Sequence, residues 1–239
     1  MANVTDDIGV LVLTGPNARD VLSQLTQDGL TNQDGFTWMT IRDITVADIP
    51  VRALRLSYAG ELGWELHHPM SHMATLYDAL MKSGAAFGLR LVGTYALNSL
   101  RMEKAYKAWG TELTTEISLV EADMMRFARK GGGYIGANVV ERKLVEGVDT
   151  HLVYCEVDVL DADPMGNEPI YDGDKVIGIT TSGAYGHCVK KSLTFAYVKT
   201  GYERPGAQFD IEMLGERRKA TVLPEACLLY TSPSPRDRG

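Results

Sequence analysis

Residues 152–160 read LVYCEVDVL and decide the fold class of the second part of the chain. Apolar and polar side chains alternate along this stretch, which predicts a strand with Val153, Cys155 and Val157 on one face. Further strand-like stretches follow at short intervals, separated by Gly, Pro and Asp, at residues 175–181, 192–198, 209–214 and 217–223. Short strands at this spacing predict a small all-β barrel or sandwich over residues 148–226.

The part of the chain before residue 148 mixes the two periodicities. Extended patterns predict strands at residues 8–14, 36–41, 51–58 and 64–68, with a turn cluster at residues 32–35. Helical spacing predicts helices after Pro16, from a cap at Ser71 to Gly84, over residues 94–106, from the capping-box pattern at Ser118, and around Val140. The predicted fold class is therefore α+β: a mixed α/β domain over residues 1–147, followed by the β domain.

Composition excludes several classes of protein. The chain has 239 residues, a formal charge of −7, 45% apolar and 23% charged residues, which is typical of a globular protein rather than a disordered one. No apolar run approaches the roughly 20 residues of a membrane helix, and the N-terminus lacks a secretory signal. An acidic balance argues against nucleic-acid binding.

No metal site is predicted from the Cys and His residues. The spacing of Cys155 and Cys188 is not that of metal ligands, and the cluster of His67, His68 and His72 has no fourth ligand at a fitting distance in the sequence.

Two stretches are set aside. Residues 227–239, CLLYTSPSPRDRG, resemble a translated sequencing adapter, and we treat them as a tail outside the fold. Residues 131–136, GGGYIG, match the G-x-G-x-x-G dinucleotide pattern by letter. That fingerprint requires a preceding strand, whereas a helix ending at Lys130 is predicted here. We interpret these glycines as a helix stop.

Three segments carry a family resemblance when they are taken together. They are residues 56–66 (LSYAGELGWEL), residues 93–105 (GTYALNSLRMEKA) and residues 180–185 (TTSGAY). In order and spacing they resemble the folate-binding aminomethyltransferase family typified by the glycine-cleavage T-protein. Trp64, residues 104–110 (KAYKAWG) and residues 163–168 (DPMGNE) point to its dimethylglycine and sarcosine dehydrogenase branch. The resemblance covers nearly all of residues 3–226 and implies a T-protein-like folate domain, truncated at its N-terminus.

The resemblance implies a set of folate-binding residues. In the family, the residues matching Tyr58 and Glu65 contact the pterin, and the residue matching Arg101 lines the same site. A carboxylate suits the pterin because it can accept hydrogen bonds from the adjacent N3–H and 2-amino group, and a flat ring suits an aromatic wall. His67 is next along the face of Glu65 and is a further candidate. The residues alone leave simpler roles open: Tyr58 as a rim aromatic, Glu65 as a surface partner, and Arg101 in an ion pair on the helix surface.

The implied function is the tetrahydrofolate-binding part of a flavin-linked N-methyl amine dehydrogenase. Such an enzyme oxidises the amine to an iminium at FAD, and its folate domain captures the one-carbon unit as 5,10-methylenetetrahydrofolate. The family's aspartate beside the reactive nitrogen matches no residue here, so no catalytic residue is assigned and the role is not given to Asp6 or Asp7. FAD is expected only in a missing N-terminal part of the same polypeptide.

Alternative functions stay open from the sequence. They are a free-standing T-protein-like aminomethyltransferase, a folate-dependent demethylase, and a non-catalytic folate-binding scaffold. The expected partners are folate and the amine-derived iminium, with neither nucleic acid nor membrane. The expected compartment is a bacterial cytoplasm or a mitochondrial matrix.

Overall fold

The computed structural model describes residues 2–29, 36–129 and 131–227. The predicted turn at residues 32–35, and the predicted tail beyond Cys227, lie outside the described residues. The chain divides into two compact units between Leu97 and Asn98. Each unit is treated by itself below, and the predicted domain boundary at residue 148 stays a prediction.

The first unit is an antiparallel sheet of four strands with helices packed on it. The strands lie in the order β1-β4-β3-β2. Their register brings Glu65 of the fourth strand opposite Val12 of the first and Leu54 of the third. The elements are β1 (Ile8–Thr14), α1 (Ala18–Ser23), β2 (Ile41–Val46), β3 (Ile49–Leu54), β4 (Gly63–Pro69), α2 (Met73–Gly84) and the start of α3 (Thr94–Glu103).

Strand alternation separates the core of this unit from its outer surface. Trp64 and Leu66 of β4 are completely buried and pack with Leu22 of α1 and Leu76 of α2 in one apolar cluster. Residues 65 and 67 therefore face the other side of the sheet, because successive side chains of a strand point to opposite faces. This alternation is the feature that positions the candidate site.

The second unit is built on a closed antiparallel barrel of six strands, in the order β10-β5-β8-β7-β6-β9. The predicted inward face of β5 is confirmed, since Val153, Cys155 and Val157 lie in the barrel core. The opposite face of β5 is also buried, because Tyr154 packs with Met102 of α3. The elements are α4 (Ala137–Glu146), β5 (Thr150–Val157), β6 (Pro169–Asp172), β7 (Lys175–Gly186), β8 (Lys191–Lys199), β9 (Gln208–Met213) and β10 (Glu216–Val222).

Several predicted boundaries in the first unit are wrong. The strand expected at residues 36–41 instead begins at Ile41, and Phe36 is buried by its edge-on contact with the Trp64 ring rather than by strand pairing. β3 ends at Leu54, before the turn that holds Tyr58. Ser71 caps nothing: it lies in a 3-10 turn, Met70–His72, and no side chain caps the start of α2.

No helix begins at the predicted capping box. Ser118 N donates to Glu121 Oε2 at 2.9 Å, as such a box requires, but Ser118 Oγ accepts from Val120 N at 3.3 Å rather than from the amide of Glu121. These bonds close an irregular turn instead, because Glu121 is held from outside by Lys143 of α4 at 2.5 Å and by the amide of Leu152. Tertiary contacts therefore decide the local conformation.

The glycine run at residues 131–136 precedes a helix rather than ending one. Only a 3-10 turn, Met125–Phe127, lies just upstream, and α4 begins directly after Gly136. Gly136 has a φ of +89°, a conformation that favours glycine. Among the described residues just upstream, 111–129, no strand leads into the run, so they do not give it the strand–turn–helix geometry of a dinucleotide site.

The predicted fold class is confirmed: a mixed α/β region is followed by an all-β barrel. Among the described residues, no helix combines the length and the apolar character needed to cross a bilayer.

Candidate functional site

Tyr58 lies in the turn between β3 and β4, and the backbone of this turn is closely fixed. Gly60 N donates to Ser57 O at 3.3 Å, and Gly60 has a φ of +74°. The hydroxyls of Ser57 and Thr14 are 2.9 Å apart, which ties the turn to the end of β1. The side chain of Tyr58 is 37% exposed, so its ring borders solvent beside the start of β4.

Glu65 and His67 form a pair on the outer face of β4. His67 Nε2 lies 3.2 Å from Glu65 Oε2, and the two side chains are 30% and 28% exposed. Within the described residues, Glu65 Oε1 has no hydrogen-bond partner. The carboxylate is thus held from one side and keeps one oxygen available for a donor from solution.

The nearest cation along the sheet is engaged elsewhere. Arg52 is paired with His67 in the ladder, but its guanidinium donates to both oxygens of Asp43, at 2.8 and 3.2 Å. The hydrogen bond from Arg52 lowers the pKa of Asp43, and Asp43 raises the pKa of Arg52. Among the described residues, the side chain that contacts Glu65 on this face is therefore His67.

Arg101 belongs to the second unit and is buried at the end of α3. Its Nε donates to Asn98 Oδ1 at 2.8 Å, and its Nη2 donates to Ser182 Oγ at 2.7 Å. Its Nη1 donates to Tyr106 O at 2.9 Å and to Glu112 Oε2 at 3.1 Å. The simpler role considered from the sequence, an ion pair on the helix surface, is wrong, because Arg101 lies inside a buried network.

Glu112 is the acid of this network, and sequence reasoning missed it. Its side chain is completely buried, with Oε1 accepting from Thr181 at 2.6 Å and from Ser182 at 2.5 Å. Its Oε2 accepts from Ala108 N at 2.8 Å. Burial alone would raise the pKa of Glu112. The hydrogen bonds from Ser182, Thr181 and Ala108, with the charge of Arg101, outweigh burial and lower that pKa.

The structure thus places Tyr58, Glu65 and His67 in the first unit and Arg101 in the second. It brings Glu65 and His67 into contact. Asp6 and Asp7, which received no role from the sequence, are exposed in the turn before β1. In the ranges the structure covers, no three His, Cys, Asp or Glu side chains come together as metal ligands would.

Comparison with known proteins gives the family. The model described as "GCVT N-terminal domain" matches residues 1–131, and that described as "Glycine cleavage T-protein C-terminal barrel domain" matches residues 151–227. Mouse mitochondrial dimethylglycine dehydrogenase is 42% identical over 97% of this chain and 27% of its own length. Mouse mitochondrial sarcosine dehydrogenase is 32% identical over 82% of the chain and 21% of its own length.

Aminomethyltransferases match over more of their length. The protein from Bacillus pumilus is 28% identical over 92% of this chain and 60% of its own length. The crystal structure of aminomethyltransferase T from Bartonella henselae has the same fold, with a TM-score of 0.79, 22% identity, and coverage of 90% of this chain and 58% of that one. The chain spans about a quarter of the length of the dehydrogenases that it matches. The chain belongs to the glycine-cleavage T-protein family, as a T-protein-like domain homologous to dimethylglycine and sarcosine dehydrogenases and to aminomethyltransferases.

Proposed function

We propose that this chain is the tetrahydrofolate-binding part of a flavin-linked dehydrogenase that demethylates an N-methyl amine of the dimethylglycine or sarcosine type. The observation that carries the proposal is Glu65: a partly exposed carboxylate on the outer face of the sheet, with one oxygen held by His67. The 42% identity to dimethylglycine dehydrogenase over nearly the whole chain supports the choice of branch.

Glu65 and Tyr58 fit the chemistry of a pterin. The pterin edge offers N3–H and the 2-amino group side by side, and a carboxylate accepts both in a bidentate, charge-assisted pair worth roughly 1.5–3 kcal/mol. The free Oε1 of Glu65 supplies one acceptor, and Oε2 can accept a second bond beside the one to His67. The partly exposed ring of Tyr58, at the turn that leads into β4, suits contact with the pterin face.

His67 and Arg101 have supporting roles in this proposal. His67 orients the Glu65 carboxylate through the 3.2 Å contact and borders the ligand. Arg101 is retained as a folate-site residue on the resemblance. Its own contacts make it a positioning residue, because its donors fix the carbonyl of Tyr106 and the side chains of Asn98 and Glu112.

In the proposed reaction the reduced folate supplies an amine nucleophile that captures the iminium carbon and yields 5,10-methylenetetrahydrofolate. This chain contributes binding and orientation, which are the main protein terms in such a capture. The run at 131–136 does not suit FAD, because no strand precedes it among the described residues. We place FAD and the iminium-forming step in another part of the same polypeptide, in a bacterial cytoplasm or mitochondrial matrix.

Calorimetric titration with 5-formyltetrahydrofolate, a stable reduced folate, tests the proposal. We expect binding, and we expect Glu65→Gln to weaken it by about 1–3 kcal/mol, because one acceptor oxygen becomes an amide donor. Glu116→Gln, at an exposed glutamate of the second unit, is the matched control and should leave the affinity unchanged. Absence of binding up to high micromolar ligand would refute the folate function. Equal affinity of Glu65→Gln and the parent would remove Glu65 from the site.

A second candidate is a free-standing aminomethyltransferase. The observation behind it is the similarity to bacterial aminomethyltransferases, such as the protein from Bacillus pumilus at 28% identity over 92% of this chain. Both candidates use the same folate contacts. They differ in the donor of the one-carbon unit. An assay of the chain with tetrahydrofolate and an aminomethylated lipoyl carrier therefore separates them, because formation of 5,10-methylenetetrahydrofolate from that carrier is expected only of the aminomethyltransferase.

A further inference from the structure

The pair of Glu65 and His67 offers its hydrogen-bonding groups in a definite order. His67 Nε2 lies 3.2 Å from Glu65 Oε2, and in the part of the chain that the structure covers no other donor contacts this carboxylate. An ionised carboxylate only accepts hydrogen bonds, so the hydrogen of this contact lies on His67 Nε2. The pair therefore presents an acceptor, a second acceptor and a donor: Oε1, Oε2 and the Nε2–H group.

Apolar side chains flank the pair on the neighbouring strands. Residues that pair directly across a sheet point to the same face, so Val12 and Leu54 lie on either side of Glu65, and Val10 lies beside His67. Val10 and Val12 are 41% and 59% exposed. These three side chains have no hydrogen-bonding groups, so a ligand that lies over them is recognised through its polar edge by the Glu65–His67 pair.

Arg52 is a second donor on this face and a rival to His67. It pairs with His67 across the ladder from β3, and its guanidinium donates to both oxygens of Asp43. Both side chains of that ion pair are mostly exposed, and such pairs contribute little free energy. The contact with Asp43 therefore does not by itself keep Arg52 away from a ligand, and the experiment below includes it.

The edge of a 4-oxo pterin is complementary to the order of these groups. Its 2-amino group and N3–H are donors, and the neighbouring O4 is an acceptor. A 4-amino pteridine has an amino donor in place of O4 and no hydrogen on N3. Its amino group would meet the Nε2–H group of His67 donor to donor, and such an unpaired contact is what discriminates against the wrong ligand.

We propose that His67 is a specificity-determining residue: its Nε2–H group, shared between Glu65 Oε2 and O4 of the ligand, selects 4-oxo pteridines over 4-amino pteridines. This inference rests on the proposed folate function and adds the class of pteridine that the site accepts. It differs from an orienting role. Orientation of Glu65 by His67 would support every ligand of that carboxylate equally, whereas a donor to O4 supports only the 4-oxo class.

Anaerobic calorimetric titration of the full chain with tetrahydrofolate and with tetrahydroaminopterin, its 4-amino analogue, tests the inference. We expect the parent to prefer tetrahydrofolate. His67→Ala should reduce this preference about five- to tenfold, the loss typical of one hydrogen bond. The change should lie in the affinity for tetrahydrofolate, while the affinity for tetrahydroaminopterin stays equal or rises. His67→Gln keeps a side-chain donor and should stay within about threefold of the parent preference.

His72→Ala is the matched control, because His72 is an exposed histidine of the same unit, and it should change neither affinity. Circular dichroism checks that each variant is folded. An equal loss of affinity for both ligands in His67→Ala would leave only an orienting role and overturn the inference.

Two further outcomes would also overturn it. A preference that falls in Arg52→Ala and not in His67→Ala would assign O4 to Arg52. Failure of the parent to bind tetrahydrofolate would refute the proposed function as well. Binding by the parent with an unchanged preference in His67→Ala would refute this inference alone.

Discussion

The buried pair of Arg101 and Glu112 gives the sharpest test of what holds the second unit together. Glu112 is completely buried, and its carboxylate neutralises the charge of the buried Arg101, whose Nη1 lies 3.1 Å away. Removing one partner of a buried pair typically costs about 3–5 kcal/mol, because the other charge stays buried without compensation. We therefore expect Glu112→Ala to lose roughly that amount of unfolding free energy. Glu112→Gln keeps the shape and some hydrogen bonds and should lose about 1–3 kcal/mol.

Urea unfolding followed by circular dichroism measures the effect as a shift of the midpoint at constant slope. Asp43→Asn is the matched control, since the Arg52–Asp43 pair has similar hydrogen-bond distances but lies in solvent, and it should shift nothing measurable. The acid dependence adds a second readout. Because the folded-state pKa of Glu112 is lowered, its stabilisation is present above about 4.5 and is lost as the pH falls below that value. The difference between parent and Glu112→Gln should shrink there.

A midpoint for Glu112→Ala equal to that of Asp43→Asn would refute the reasoning. It would mean that the network of Arg101, Ser182 and Thr181 tolerates an unbalanced buried charge. A difference between parent and Glu112→Gln that grows on acidification would refute the sign of the pKa shift.

Two further predictions concern a close backbone contact in the first unit and a buried hydrogen bond in the second. Gly63→Ala should destabilise the first unit by about 1–3 kcal/mol, because the new methyl would lie 2.8 Å from the carbonyl oxygen of Leu13; an unchanged melting temperature would contradict this. Tyr154→Phe removes the hydroxyl that donates to Met102 O at 2.7 Å inside the second unit and should cost about 1 kcal/mol in urea unfolding. A neutral result there would mean that the carbonyl finds another donor.

The periodic spacing of apolar residues predicted those helices and strands in which buried and exposed side chains alternate regularly. The strands at 8–14 and 64–68, the helix ending at Gly84 and most barrel strands are of this kind. The pattern failed where burial has a tertiary cause: Phe36 reads as part of a strand but is buried by the ring of Trp64. The two periodicities gave the α+β class, and the family resemblance narrowed it to a T-protein-like domain.

The candidate site shows the same limit. Glu65 and His67 are two residues apart on one strand, so their shared face could be predicted from alternation. Glu112 could not, because its partner Ser182 is 70 residues away and on the barrel. Arg101 reads as a helix-surface residue from its neighbours, whereas the structure buries it in a network that reaches Ser182, 81 residues away. Polar burial depends on such distant partners and leaves no periodic signal.

The alternation of buried and outward side chains along β4 separates residues selected for core packing from residues selected for ligand contact. Trp64 and Leu66 are constrained by packing in the core, whereas Glu65 and His67 are constrained by contacts on the outer face. Substitutions at positions 65 and 67 can therefore change ligand preference without disturbing the core. The same arrangement makes the strand intolerant of frame changes. Loss of a single residue near Gly63 would exchange the two faces, turning the acid inward and the tryptophan toward water.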